Sequence, residues 1–133
     1  MIHTLARFPV GGVQLCVDRS AMRSDVEAPH LTPAPGAPRW LLGAWNHLGR
    51  AVAVVDVAVF AGVNRDPVHP DRLVLVDTPS GVIGIAATGP VSELPAPAFR
   101  RRNTLLEVVD ASSDLLFVDI TKLCEVIEES MAL

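Results

Sequence analysis

Residues 38–62, PRWLLGAWNHLGRAVAVVDVAVFAG, set two apolar runs, 40–45 and 51–57, on either side of a short polar stretch with asparagine, glycine and arginine. Both runs have the length and composition of strands. The second run decides the architecture. Val52 and Val54 on one face and Ala51, Ala53 and Val55 on the other are all apolar, whereas a strand with one wet face would alternate. Such a strand has to be covered on two sides. In a chain with few helices, small barrels packed against each other meet that need, one face filling a barrel and the other meeting a neighbour.

Working outward, further strand candidates lie at 4–8, 13–17, 73–76, 82–87, 105–109 and 115–118, making eight in all. Turn signals separate them at Gly11-Gly12, 64–67, 79–81 and 111–114. Ser80 and Gly81 after Pro79 predict a tight hairpin, with RLVLVD leading in and VIGIAA leading out. Ile120, Leu123, Cys124 and Ile127 recur at i, i+3, i+4 and i+7, so a helix closes the chain, with Asp119 at its N-cap. Residues 18–38 carry mixed charge to Glu27 and then Pro29, Pro33, Pro35 and Pro38, which predicts a short helix or turn followed by an extended connection. No repeat is visible at solenoid spacing. The expectation is one mainly β domain spanning residues 1–133.

At 133 residues the chain can bury roughly two-thirds of its unfolded surface without disulfide or metal staples. The longest nearly uncharged run, 51–63, is broken by Asp56 and is far shorter than the ~20 residues of a membrane span. Arg7 interrupts the N-terminal segment, which lacks the apolar stretch of a secretory signal, so a soluble, cytoplasmic protein is expected. A net charge of -4 offers no footprint for nucleic acid. Arg100, Arg101 and Arg102 follow Pro95 and Pro97 and read as a solvated loop. Cys16 and Cys124 sit inside apolar patterns, as buried thiols do.

Five aspartates, Asp18, Asp56, Asp77, Asp110 and Asp119, end or follow apolar runs, where their carboxylates serve as turn and cap acceptors. His3, His30, His47 and His69 show no metal-ligand spacing with one another or with cysteine. There is no nucleophile elbow, phosphate loop or dinucleotide fingerprint, so no cofactor is expected. One enzymatic alternative is open, because LVDTPSG is similar to the D-T-G or D-S-G loop of retropepsin-like aspartic proteases, with Asp77 as the carboxylate and Pro79 where that loop has glycine. Such chemistry needs two carboxylates sharing one proton. Trp40 and Trp45 lie on opposite faces of one strand unless it bends at Gly43, which makes Trp45, with Arg50 nearby, a candidate partner anchor.

Residues 38–62 also resemble the signature of CheW-like chemotaxis adaptor domains: a proline, an apolar strand, G-x-x-N-x-R-G, a second apolar strand ending in V-D-L, and a short apolar turn before glycine. Gly43, Asn46, Gly49, Val55 and Asp56 match it. Leu48 stands where the family usually has arginine, Ala53 where it has proline and Val57 where it has leucine. The likeness extends to ARFPVGGVQLCVD, similar to the family's opening hairpin, and to VIGIAATGPVSEL, where Gly84 matches and Thr88 replaces the usual aspartate. LLFVDITKL is similar to its closing strand and terminal helix.

The resemblance implies two interleaved five-stranded SH3-like β-barrel subdomains with a C-terminal helix. It implies a bacterial, non-catalytic adaptor between the cytoplasmic tip of a methyl-accepting chemoreceptor and the regulatory domain of a CheA-type histidine kinase. Trp45, His47, Leu48 and Arg50 are then the partner-contact candidates, and Gly43, Asn46, Gly49, Asp56 and Gly84 the fold residues. Arg50, two residues from Leu48, is expected on the same strand face, partly restoring the missing charge. Two alternatives are a divergent module of a pilus-type or pole-localised array without receptor binding, and an SH3-like binding module outside chemotaxis.

Overall fold

The structure, a computed structural model, describes residues 2–99, 104–110 and 113–131. The Arg100 to Arg102 run and residues 111 and 112 of the 111–114 turn lie outside them. The chain opens with the hairpin β1 (Thr4–Val10) and β2 (Val13–Asp18), turns at Gly11-Gly12, and passes a single 3-10 turn at Arg19–Ala21. It then runs through β3 (Met22–Glu27), β4 (Leu41–His47), β5 (Arg50–Val55), the four-residue helix α1 (Val57–Phe60), β6 (Arg72–Thr78) and β7 (Gly81–Ala87). After β8 (Ser92–Pro95), β9 (Leu106–Asp110) and β10 (Ser113–Val118), helix α2 (Ile120–Met131) ends it.

These strands form two five-stranded sheets, ordered β8-β1-β2-β10-β9 and β3-β6-β7-β5-β4. The second sheet is therefore built from one uninterrupted stretch of chain, inserted between β2 and β8 of the first. Two strand pairs are parallel, β10 with β2 and β5 with β7. Among the described residues neither sheet is closed by hydrogen bonds between its outer strands. The helices among the described residues are too short to cross a membrane.

Two-sided burial is complete in β6. Leu73 and Leu75 join a cluster with Val52, Val54 and Ala86, all from the second sheet, while Val74 and Val76 join a different cluster containing Phe8, Leu15 and Val17 of the first. The first sheet likewise keeps a core of its own, with Leu5, Cys16, Leu115 and Phe117. Each sheet thus packs one face on itself and gives the other to a shared central core. Fully burying a residue such as Phe8 or Val74 contributes on the order of 1.5–3 kcal/mol. In β5 only Val55 of the predicted odd-numbered face reaches the central core, and Ala51 and Ala53 are exposed, so the expected cover on that face is met only at the strand's end.

Two strands escape sequence reasoning. β3, MRSDVE, falls in the segment read as a turn and extended connection, and β8, SELP, has no apolar run. Both are edge strands, where polar and charged side chains discourage further pairing. β3 is fastened to β6 by main-chain pairing and by the ion pairs Asp25–Arg72, at 2.9 Å, and Arg23–Asp77, at 3.0 Å.

Local chemistry explains how the segment after β3 meets β4. A bulge interrupts the β4–β5 ladder between Leu41 and Gly43, and the Thr32 N–H donates to the Ala44 carbonyl while the Ala44 N–H donates to that of Thr32. Gly43 permits this approach, since its φ is +148° and a Cβ there would lie 2.7 Å from the Thr32 oxygen. Below it, fully buried Asp56 caps α1, its Oδ1 accepting from the Val59 N–H and its Oδ2 from the Val68 N–H, each at 3.0 Å. Asp119 caps α2 in the same way, accepting from the Lys122 N–H, and Ile120 and Leu123 enter the central core as the helical spacing predicts.

Gly43→Ala should destabilise the fold by about 1–3 kcal/mol from backbone strain alone, with the carbonyl clash adding to it. At Gly84 a Cβ would meet Val54, Leu73 and Leu75 at 3.4–3.7 Å, ordinary contact distances. Gly84→Ala should therefore cost less, and equal losses of stability in urea titrations of the two variants would contradict this account.

Candidate interaction site

The β4–β5 hairpin is closed by the pair His47–Arg50, leaving Leu48 and Gly49 as a two-residue loop with φ of 52° and 80°. Positive φ at both positions is the turn whose twist suits a hairpin. Asn46 braces it, its Oδ1 accepting from the Gly49 N–H at 3.1 Å. Leu48 is the only non-glycine described residue with positive φ, and it is 89% exposed. A left-handed conformation costs an ordinary L-residue about 1–2 kcal/mol. The expected sharing of a strand face by Leu48 and Arg50 is corrected: Leu48 is at the loop tip and Arg50 is the first residue of β5. The intervening turn removes the strand alternation on which that expectation rested.

Trp40 and Trp45 serve different cores. Trp40 packs edge-on against Phe60 at 4.7 Å beside the central core, while half-buried Trp45 belongs to the core of the second sheet. Its ring lies 4.4 Å from that of His47, two residues on and on the same strand face. Trp45 is thus a wall that supports His47, with only part of its surface open.

Beside this hairpin lies an open groove of about 770 Å³, crossing β3, β6, β7 and β5. Val52, Leu75 and Val82 line it, continuous with the second sheet's own core, and Leu48, Arg50 and Pro79 stand among its edges. His47 also faces it. Arg23 is neutralised by Asp77, whereas among the described residues no carboxylate pairs with Arg50. The groove therefore combines apolar and polar lining with the guanidinium of Arg50, which pairs with no carboxylate among the described residues.

Asp77 does not stand on a protease-type loop. It lies within β6 opposite Val82, and its Oδ1 accepts from Arg23 Nε at 3.1 Å and Nη2 at 3.0 Å. Pro79 and Ser80 instead make the tight hairpin the sequence predicts, since Thr78 pairs with Gly81 and its Oγ1 both donates to the Gly81 carbonyl and accepts from the Ser80 N–H. His3, His30 and His69 are exposed at separate places, and the described residues hold no group of three or more His, Cys, Asp or Glu side chains that could bind a metal ion. Gly84 sits in β7 opposite Val54, with Leu73 and Leu75 close by.

The groove's far side escaped sequence reasoning. Leu75, Pro79 and Val82 belong to a hairpin that was legible, but its place beside Leu48 comes from the parallel pairing of β5 with β7, which no local pattern announces.

A five-stranded sheet inserted within another, sharing one core and carrying an open groove at a hairpin tip, defines a two-sheet β protein. The profile of the CheW-like domain family matches residues 4–95, well over half the chain, and the chain belongs to that family. Its structure is similar to that of the scaffolding protein TtCheW from Thermoanaerobacter tengcongensis, with a TM-score of 0.72 at 18% identity over 92% of each chain. No curated protein matches the sequence.

Two expectations follow from this geometry. Asparagine tolerates the left-handed region, so Leu48→Asn should raise stability by about 0.5–1 kcal/mol, read from the chemical-denaturation midpoint. A loss of stability would mean that Leu48 makes intramolecular contacts. Burial pushes the Cys16 thiol from 9.0 up to about 12, with Arg7 pulling weakly the other way. Below pH 9 both folded and unfolded thiols are protonated; above it the unfolded state loses its proton first, so stability should fall as pH rises from about 9 towards 12. A Cys16→Ala variant should lack that part of the alkaline loss, and an identical profile in both proteins would refute the assignment.

Proposed function

We propose that this CheW-like domain, residues 1–133 as one unit, is a non-catalytic adaptor of a bacterial chemosensory complex, coupling the cytoplasmic tip of a methyl-accepting chemoreceptor to the regulatory domain of a CheA-type histidine kinase. The two curled sheets act as interleaved SH3-like barrels, and the protein works in the cytoplasm, recruited to membrane-associated receptor arrays. The observation that carries the reading is the groove that gathers His47, Leu48 and Arg50 of the family signature beside the β6–β7 hairpin. An apolar side chain held outward in a costly backbone conformation is accounted for by contact with a partner.

Leucine at the family's arginine position gives the partner apolar area in place of a fork of charged donors, and Arg50 supplies a guanidinium on the groove instead. That substitution favours a second reading, a module of a pilus-type or pole-localised array that has kept kinase contact and lost receptor contact. A standard interface of about 1,200–2,000 Å² would extend well beyond the groove.

Isothermal titration against the regulatory domain of the kinase, and separately against the receptor tip, tests both readings. Saturable binding to both supports the full adaptor, and binding to the kinase alone supports the second reading. No heat with either, with all proteins folded, overturns both. Leu48→Glu should weaken binding by tenfold or more, about 1.4 kcal/mol, while the unfolding transition stays cooperative. A variant that loses cooperativity would place Leu48 in the core.

A further inference from the structure

One wall of the groove touches the C-terminal helix. The β6–β7 hairpin turns through Pro79 and Ser80, both lining the groove, and its own bonds tie the tip only to Thr78. The tip is fastened from outside: the Ser80 hydroxyl donates to Glu128 Oε1 on α2, 48 residues along the chain. Cys124, one helical turn before Glu128 and so on the same face, places its Sγ 3.6 Å from both Ser80 Oγ and Glu128 Oε1. The first turns of α2 are held independently, by Ile120 and Leu123 in the central core and by Ile127 against it. Glu128 is therefore carried by an independently held helix and adds a long-range tie to a tip that is otherwise braced through Thr78.

We propose that Glu128 is a positioning residue for the groove: through Ser80 it fixes the hairpin tip, so that the C-terminal helix sets the shape of the binding wall. Coupling of this kind is reciprocal. A partner seated in the groove steadies the end of α2, and a protein resting on the exposed end of α2 changes affinity at the groove. The binding half of this inference rests on the adaptor reading, whereas the positioning half does not.

Hydrogen exchange of the Ser80, Gly81 and Val82 amides, with no partner present, separates the two. Glu128→Ala should speed exchange at these amides severalfold. Glu128→Gln, which keeps a carbonyl to accept from Ser80, should stay near the wild-type rate, and so should Glu129→Ala, which changes an exposed neighbour. Ser80→Ala should reproduce the effect of Glu128→Ala, and the double variant should add nothing further. Unchanged hairpin exchange in Glu128→Ala would overturn the proposal, as would faster exchange reaching back to the Leu123 amide, which would show that the helix had simply unravelled. In titrations with the kinase regulatory domain Glu128→Ala should bind severalfold more weakly than Glu128→Gln; equal affinities would overturn the coupling to the groove. Absence of binding by the wild-type protein would defeat the adaptor reading and leave the exchange result to decide the positioning role.

Discussion

The central core shared by the two sheets is the constraint on which everything else depends. β6 presents Val74 and Val76 to it and Leu73 and Leu75 to the second sheet's own core, so neither face can be given to water without losing several buried side chains, each contributing on the order of 1.5–3 kcal/mol. A face with no second sheet to cover it must be covered by its own strands, and the clusters around Leu5 and Val54 are the result. The parallel pairings of β10 with β2 and of β5 with β7 also let non-sequential strands lie side by side.

Around that core, electrostatics plays a minor energetic part. The pairs Arg19–Glu93, Arg23–Asp77 and Arg39–Asp66 are substantially exposed, and such pairs contribute about 0–1 kcal/mol each. Their effect is directional: Asp25–Arg72 and Arg23–Asp77 hold polar β3 in register where apolar contact is sparse. Asp56 differs because it is fully buried, and its two oxygens satisfy two main-chain N–H groups that would otherwise be orphaned. The aspartate of the signature thus caps α1 and ties it to Val68 in the connection to β6.

The surface carrying the signature combines rigid and costly elements. Asn46, Gly49 and the Gly43 bulge define the hairpin, and its tip exposes a leucine in a region of backbone space that leucine avoids. Beside it the second hairpin is fastened to α2. The groove is accordingly walled by two turns, each braced within its own hairpin, and the second is tied as well to a helix from the far end of the chain.

Sequence alone determined the mainly β class, eight of the ten described strands, the Pro79-Ser80 hairpin and the Asp119-capped helix, because each is written in short-range periodicity and turn chemistry. It also carried the CheW-like resemblance, through Gly43, Asn46, Gly49 and Asp56. It missed β3 and β8, whose polar edges hold no apolar pattern, and it set Leu48 on a strand face when the paired positive φ angles of Leu48 and Gly49 make it a turn tip. Only the tertiary structure decided which face of each strand meets which core, that Trp40 and Trp45 part company, that Leu75 and Ser80 line one groove with Leu48, and that Glu128 meets Ser80. Those relations join residues far apart in the chain, and packing between non-local surfaces leaves no periodic trace in the order of the amino acids.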